Sequence, residues 1–205
     1  MKTLKQIIEE SLQKNSFRMH PNGFYQLDLI QDTRLHIWPP QKEESQKNYN
    51  PIHDHTFSFK SLILLGCLIH SEYQFLENPK GKYQLYEVIP QGSISTIMKP
   101  TGKFVDIILH KEIYLNPGNK YIFEKQKFHE SVNKEGVLTS TIMKKIQGFK
   151  KDLHARIIGI RDHDPEDNDF DRLNINQERA RFYLNEVLEN LNPEILDKAN
   201  SFINQ

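Results

Sequence analysis

The sequence predicts a mainly β fold, with a helix at its N-terminal end and a helical tail at its C-terminal end. From about residue 24, short strand-like runs alternate with Gly, Pro and Asn turn signals, and no helical pattern interrupts them until about residue 173. Such a series favours an antiparallel barrel or sandwich. Ala occurs only three times in 205 residues, which argues against an Ala-rich helical bundle. We expect a β domain over residues 1–161, and an acidic connector with helices packing on the barrel over 162–205.

The first predicted element is a helix over residues 3–14, because apolar residues recur at the helical period from Leu4 to Leu12 and Thr3 is a suitable N-cap. Strand-like runs follow at residues 24–30, 35–38, 52–65, 67–76, 83–89, 93–98, 104–115, 121–123, 128–133, 137–146 and 154–160. Turn signals separate many of these runs, at residues 78–81, 91–92, 100–102, 116–119 and 134–136.

The C-terminal part of the chain predicts two further helices. The acidic, polar segment 162–171 is typical of an exposed connector. Beyond it, apolar residues between Leu173 and Leu191 recur at the helical period, and Pro193 starts a short third helix that includes Phe202.

Composition gives no reason to expect a nucleic-acid or membrane partner. The chain has 27 basic and 27 acidic side chains, and its sequence pI is about 7.1. The longest apolar run, 62–69, contains Gly66 and is far too short to span a bilayer. Cys67 is the only cysteine, so an internal disulfide is excluded and a reducing compartment is favoured. Since the N-terminus carries no apolar signal core, we expect a cytoplasmic protein.

The most informative stretch is 51–59, Pro-Ile-His-Asp-His-Thr-Phe-Ser-Phe. In a strand, residues i and i+2 point to one face about 7 Å apart, so His53 and His55 are expected to point inward together. Two imidazoles at this spacing can share one metal ion. Asp54 is expected to face the opposite way, as a solvent or turn contact.

A second stretch, 121–133, places a third histidine, His129, at the start of another strand. Together the two stretches resemble the cupin superfamily. Its first motif is HxH followed about eleven residues later by Gly, here Gly66, and its second motif is a His followed four positions on by Asn, here Asn133. The resemblance implies a double-stranded β-helix (jelly-roll) barrel that binds a metal through His53, His55 and His129.

Within that superfamily the sequence is most similar to the cysteine dioxygenase (thiol dioxygenase) group, over roughly residues 20–150. The resemblance implies Fe(II) as the metal, with O2 and a small thiol as substrates. The glutamate that usually follows the first motif is replaced, since Phe59 and Lys60 stand at those positions. The cysteine and tyrosine that cross-link in vertebrate-type enzymes are also absent, because their counterparts fall near Lys60 and Met143.

Three neutral ligands leave the +2 charge of the ion without a protein counter-charge, which favours anionic ligands at the remaining positions. An open facial site of this kind suits non-haem Fe(II) chemistry. A substrate held there also needs a partner for its far end, which in many small thiols is a carboxylate.

Candidates for this substrate contact lie on the strand before the first motif. Arg34, His36 and Trp38 alternate along it and share one face, and Arg34 can bind a carboxylate through two hydrogen bonds. The alternative is that this face points outward, or that Arg34 pairs with a structural Asp. Arg18 is a second candidate for the carboxylate, and Tyr49 could close the site from the loop before it.

Two other functions remain open from the sequence. One is a cupin that uses Zn, Ni or Mn for a redox-neutral reaction, such as isomerisation or hydrolysis. The other is a non-enzymatic cupin that binds a small ligand. In each case a homodimer is possible.

Overall fold

Two antiparallel sheets make up most of the structure, a computed structural model that describes residues 2–41, 51–91, 95–147, 153–161 and 175–205. The first sheet has, in spatial order, β1 (Arg18–His20), β2 (Phe24–Asp28), β3 (Thr33–Trp38), β11 (Thr139–Gln147), β5 (Ser58–Leu65) and β9 (Lys120–Phe123). The second sheet has β10 (Phe128–Asn133), β4 (Ile52–His53), β12 (Ala155–Ile160), β7 (Tyr83–Gln91), β8 (Ser95–Leu115) and β6 (Leu68–Glu77). Because β6 pairs back with β10, the hydrogen-bonded order of the second sheet closes on itself.

Three helices accompany the sheets: α1 (Leu4–Leu12), α2 (Gln177–Glu189) and α3 (Pro193–Ile203). In a capping box, the Thr3 hydroxyl accepts from the backbone N–H of Gln6, whose side chain accepts from the Thr3 N–H. The predicted mainly β class, with helices at both ends of the chain, is confirmed. Within the described part of the chain, no helix combines the length and hydropathy needed to cross a membrane.

Within the first sheet, the strand β3 is covered on both of its faces. Leu35 and Ile37 have no exposed surface and belong to the main hydrophobic cluster. The alternating residues Arg34, His36 and Trp38 point the other way, into a cavity between the two sheets. All three helices contribute to the cluster on the Leu35 side, through Leu4, Ile7, Ile8, Ala180, Tyr183, Leu184, Val187, Ile195, Ala199, Phe202 and Ile203.

Two predicted strand boundaries are wrong. The run 52–65 is two strands, because β4 ends at His53 and the chain leaves the sheet before β5 begins at Ser58. The run 104–115 and the described part of the run 93–98 form one strand, β8, which begins at Ser95, and the turn predicted at 100–102 is a bulge in it. There Gly102 has a φ of 77°, and the Thr101 hydroxyl donates to the Leu85 carbonyl of the neighbouring strand.

Gly66 forms the tight link between β5 and β6. Its φ is +78°, and a Cβ at this position would lie 2.2 Å from the Leu138 carbonyl oxygen and 2.8 Å from the Thr139 Cα. Both obstacles are backbone atoms, which cannot rotate away. The backbone therefore requires glycine at this position both for its φ and for its space.

We expect Gly66→Ala to lower the free energy of unfolding by about 3 kcal/mol or more, because a backbone clash adds to the left-handed strain. Gly136→Ala is the matched control, since Gly136 has a φ of +73° and nothing within 4 Å of a Cβ. The free energy of unfolding of Gly136→Ala should fall by only about 1–2 kcal/mol. Urea unfolding of the two variants measures the difference, and equal losses would contradict this role of Gly66.

Candidate metal centre

The second sheet places His53 and His129 side by side. They are directly paired residues on the antiparallel strands β4 and β10. His55 lies two residues beyond His53, where the chain has left the strand. The ligand atoms of the three histidines all lie within 4.8 Å of one another, so the three could bind one metal ion.

The hydrogen bonds of His53 fix which of its ring nitrogens is free. Its Nδ1 lies 2.9 Å from the carbonyl oxygen of Pro51. A carbonyl oxygen only accepts, so Nδ1 carries the proton and Nε2 presents its lone pair. The Asn22 side-chain nitrogen lies near both atoms, 3.3 Å from the same carbonyl oxygen and 3.2 Å from His53 Nδ1, so the shorter Pro51 contact decides the assignment. A metal-binding histidine is typically held by such a bond from its other nitrogen.

His55 and His129 approach each other through their Nε2 atoms, which are 3.0 Å apart. Two nitrogens that bind one ion at about 2.1 Å, at a right angle to each other, are also about 3.0 Å apart. The separation therefore fits two ligands of one ion. His129 is only 4% exposed, and its Nδ1 has no hydrogen-bond partner among the described residues.

No negatively charged side chain of the described residues lines the site, since none of those around the cavity of the three histidines is Asp or Glu. Burial is the main cause that lowers the pKa of His53, His55 and His129, and neighbouring histidines lower it further for His55 and His129. The imidazoles are therefore neutral at pH 7, which is the form that binds a metal.

Asp54, between the first two histidines, does not reach this cavity. Its side chain is buried rather than in solvent, and its carboxylate binds Arg156 of β12, with the Arg156 Nε donating at 2.8 Å. The predicted orientation away from the histidines is right, whereas the predicted solvent or turn contact is wrong. A charged side chain that is buried needs such a partner.

The cavity is small and has an aromatic wall. Its volume is about 60 Å³, room for only a few water molecules. Phe57, Phe59, Phe123 and Met143 form a hydrophobic cluster beside it, and the Phe59 ring is 5.4 Å from that of His55. The first sheet supplies much of the lining, through Phe24, Gln26, Arg34, His36, Trp38, Phe59, Ser61, Tyr121, Thr141 and Met143.

A larger cleft of about 950 Å³ lies outside this inner cavity. Asn22, Trp38 and Ser131 line both spaces. These three side chains therefore separate the candidate metal centre from the wider cleft.

The substrate candidates from the sequence lie in different places. Arg34 lines the cavity, and its Nε donates to the Asp28 carboxylate at 3.2 Å. Arg18 also pairs with Asp28 and does not belong to the lining of the cavity. Tyr49 lies outside the described residues. A substrate-binding role for any of the three stays a prediction.

His36 and Trp38 line the cavity with buried polar atoms. The His36 Nε2 and the Trp38 Nε1 have no hydrogen-bond partner among the described residues, although the two side chains are 9% and 4% exposed. Burial, and secondarily the charge of Arg34, lowers the pKa of His36 to about 3. Buried polar atoms without a protein partner in a cavity wall are suited to a ligand.

Sequence reasoning missed a hydroxyl network beside the histidines. Tyr121 lines the cavity and is hydrogen-bonded to Ser61 and Ser131, and burial raises its pKa to about 12. The Ser131 hydroxyl in turn lies 2.9 Å from Nδ1 of the buried His70. The available signal was strand alternation, since Ser131 lies two residues after His129 and therefore shares its face.

No family model matches the chain, and neither does any curated protein. A similar solved structure is that of hydroxypropylphosphonic acid epoxidase from S. wedmorenis. The TM-score is 0.37 and the identity 10%, and the match covers 65% of this chain and 56% of that chain. The matched region thus spans little more than half of that protein, and these comparisons establish no family for the chain.

We expect the metal-free protein to lose stability as the pH falls below about 6.5. Folded His36 stays neutral down to a pKa of about 3, whereas in the unfolded chain it takes up a proton near 6.5. Between these two pKa values the unfolded state therefore binds more protons than the folded state. The free energy of unfolding then falls by about 1.4 kcal/mol for each unit by which the pH is lowered, because of this histidine alone.

Urea unfolding at pH 7.5 and 5.5 measures this effect. His36→Gln should remove about 1.4 kcal/mol of the difference between the two pH values, whereas a His110→Gln control, at an exposed position, should leave the difference as in the wild type. An unchanged pH dependence in His36→Gln would show that the folded protein does not hold His36 neutral.

Proposed function

We propose that this chain is a cupin-type metalloprotein that binds Fe(II) through His53, His55 and His129 and oxidises a small thiol with O2. The observation that carries the proposal is the set of donors: three imidazoles whose ligand atoms lie within 4.8 Å, in a cavity lined by no carboxylate among the described residues. An all-imidazole site leaves the charge of a divalent ion to be balanced by the substrate. A thiolate is such a substrate.

The chemistry that a bound Fe(II) supplies is stabilisation of the thiolate and activation of O2. The residues of the chain exclude water from one side of the site and orient the His53 ring. Phe57, Phe59 and Phe123 keep one side of the site apolar, so that water competes less for the open positions. The Pro51 carbonyl fixes the His53 ring through its Nδ1 proton, which keeps the Nε2 lone pair directed away from that bond.

The charges around Arg34 favour a substrate with a second negative group. Asp28 pairs with both Arg34 and Arg18, so that one carboxylate faces two guanidinium groups. One positive charge is therefore left over beside the cavity that Arg34 lines. The Nε1 of Trp38, which has no partner among the described residues, is a hydrogen-bond donor on the same face of β3. Together these groups suit the carboxylate of a thiol acid, by which we mean a small molecule that carries both a thiol and a separate carboxylate.

The size of the cavity limits the substrate. At about 60 Å³, the inner cavity admits only a few non-hydrogen atoms without movement of its side chains. A thiol acid with a short carbon chain is therefore the class that we propose. Longer thiols would have to extend past Trp38 into the outer cleft.

The test is O2 consumption by protein loaded with one equivalent of Fe(II), using a panel of short thiols with and without a carboxylate. We expect uptake of one O2 per thiol for the thiol acids, with a sulfinic acid as product, because R–SH and O2 combine to R–SO2H without a further reductant. Mass spectrometry should show a product that is heavier by two oxygen atoms.

Two variants serve as controls for this experiment. His129→Ala should lose stoichiometric metal binding and O2 uptake while keeping its β-sheet circular dichroism. Arg34→Gln should bind iron normally but raise the KM for thiol acids by about 10- to 100-fold, as expected for a lost charge-assisted hydrogen bond.

Other outcomes separate the alternatives. An iron-loaded protein that consumes no O2 with any thiol contradicts the oxygenase proposal, and leaves a redox-neutral reaction with Zn, Ni or Mn. Absence of stoichiometric binding for every divalent metal tested contradicts both, and leaves a non-enzymatic protein that binds a small ligand.

A further inference from the structure

Arg156, on β12, contacts both segments that carry the three histidines. The first segment is residues 53–55, with His53 and His55, and the second is residues 126–129, with His129. Toward the first segment, its Nε donates to the Asp54 carboxylate at 2.8 Å, and its Nη2 lies 2.7 Å from the same carboxylate oxygen. The backbone of Arg156 completes the contact, because its N–H donates to the other carboxylate oxygen at 2.6 Å and its carbonyl accepts from the Asp54 N–H at 2.9 Å. Asp54 is thus bound by four polar contacts to a single residue.

Toward the second segment, the same guanidinium reaches the turn that precedes His129. Its Nη2 donates to the Gln126 carbonyl at 3.4 Å, and its central carbon lies 4.9 Å from the centre of the Phe128 ring. Gln126 also donates its own N–H to the His55 carbonyl at 2.9 Å. Arg156 and Gln126 therefore connect the segment of His53 and His55 to that of His129.

Regular secondary structure holds the segment of His53 and His55 only weakly, whereas His129 lies in β10, which is paired along its length with β6. The strand β4 has two residues, and His55 lies beyond its end. Gln126 has a φ of 62°, a left-handed conformation that is unfavourable for a residue other than glycine. The position of His55 relative to His129 therefore depends on contacts outside the strand ladder, namely the bond from the Gln126 N–H to the His55 carbonyl and the Asp54–Arg156 pair.

We propose that Arg156 is a positioning residue, which holds the two segments at the separation that lets three imidazoles bind one metal ion. This inference rests on the proposed metal site and adds a residue that lies outside the cavity lining. Asp54 transmits the constraint, because its buried side chain lies between His53 and His55 and is turned to the opposite side. Loss of the Arg156–Asp54 contact should weaken metal binding, although all three candidate histidine ligands are still present in the chain.

The test is titration of the metal-free full-length protein with Co(II), which reports affinity and, through its visible d–d absorption, coordination geometry. We expect Arg156→Gln and Asp54→Asn each to raise the Kd by about 10- to 100-fold and to change the absorption spectrum. The double variant should be no weaker than the weaker single variant, because both substitutions remove one interaction. Arg156→Lys should bind with intermediate affinity, since it keeps the charge but not the planar fork.

Arg161→Gln is the matched control. Arg161 follows the same strand, and its guanidinium also stacks on an aromatic ring, that of Phe104 at 3.9 Å, but it donates to the carbonyls of Pro79 and Gly81 in the turn after β6. Its Kd and spectrum should equal those of the wild type. Circular dichroism and thermal unfolding establish that each variant is folded.

The outcomes distinguish the two proposals. If the wild type binds no Co(II), the proposed metal site fails, and the positioning role fails with it. If the wild type binds and folded Arg156→Gln has the same Kd and spectrum, only the positioning role is overturned. Should Arg156→Gln not fold, Arg156→Lys decides, because unchanged affinity and spectrum in that variant would overturn the role.

Discussion

The proposed site depends on the convergence of three imidazoles on one point, with no acidic side chain among the described residues that line the cavity. Burial lowers the pKa of His53, His55 and His129, so the folded chain holds them neutral. The Nε2 atoms of His55 and His129 are 3.0 Å apart, so that without a cation one of them carries a proton that it donates to the other. We propose that a divalent cation takes the place of this proton, and the lack of a carboxylate among the described residues of the cavity lining then favours an anionic substrate.

The first sheet connects this site to the rest of the fold. Its outer face packs on all three helices through residues such as Leu35, and its inner face lines the cavity through residues such as His36. A rigid hydrophobic cluster on one face therefore supports polar side chains on the other. Sites built on strands held in this way keep their geometry better than sites built on loops.

Local patterns in the sequence predicted much of this arrangement. Alternation along β3 placed Arg34, His36 and Trp38 on one face, which is the face that lines the cavity. The bounds of β10 coincide with the predicted run 128–133. What was not predictable depends on contacts between distant residues. Arg156 follows Asp54 by 102 positions, and no local pattern indicates that the two are paired.

The most direct measurement is anomalous X-ray diffraction from crystals of the protein grown with Fe(II), collected on either side of the iron absorption edge. We expect one strong anomalous peak between the three imidazoles, at about 2.0–2.2 Å from a nitrogen of His53, His55 and His129. Full metal occupancy with the peak elsewhere, or a peak bound by only one of these side chains, would contradict the proposed site.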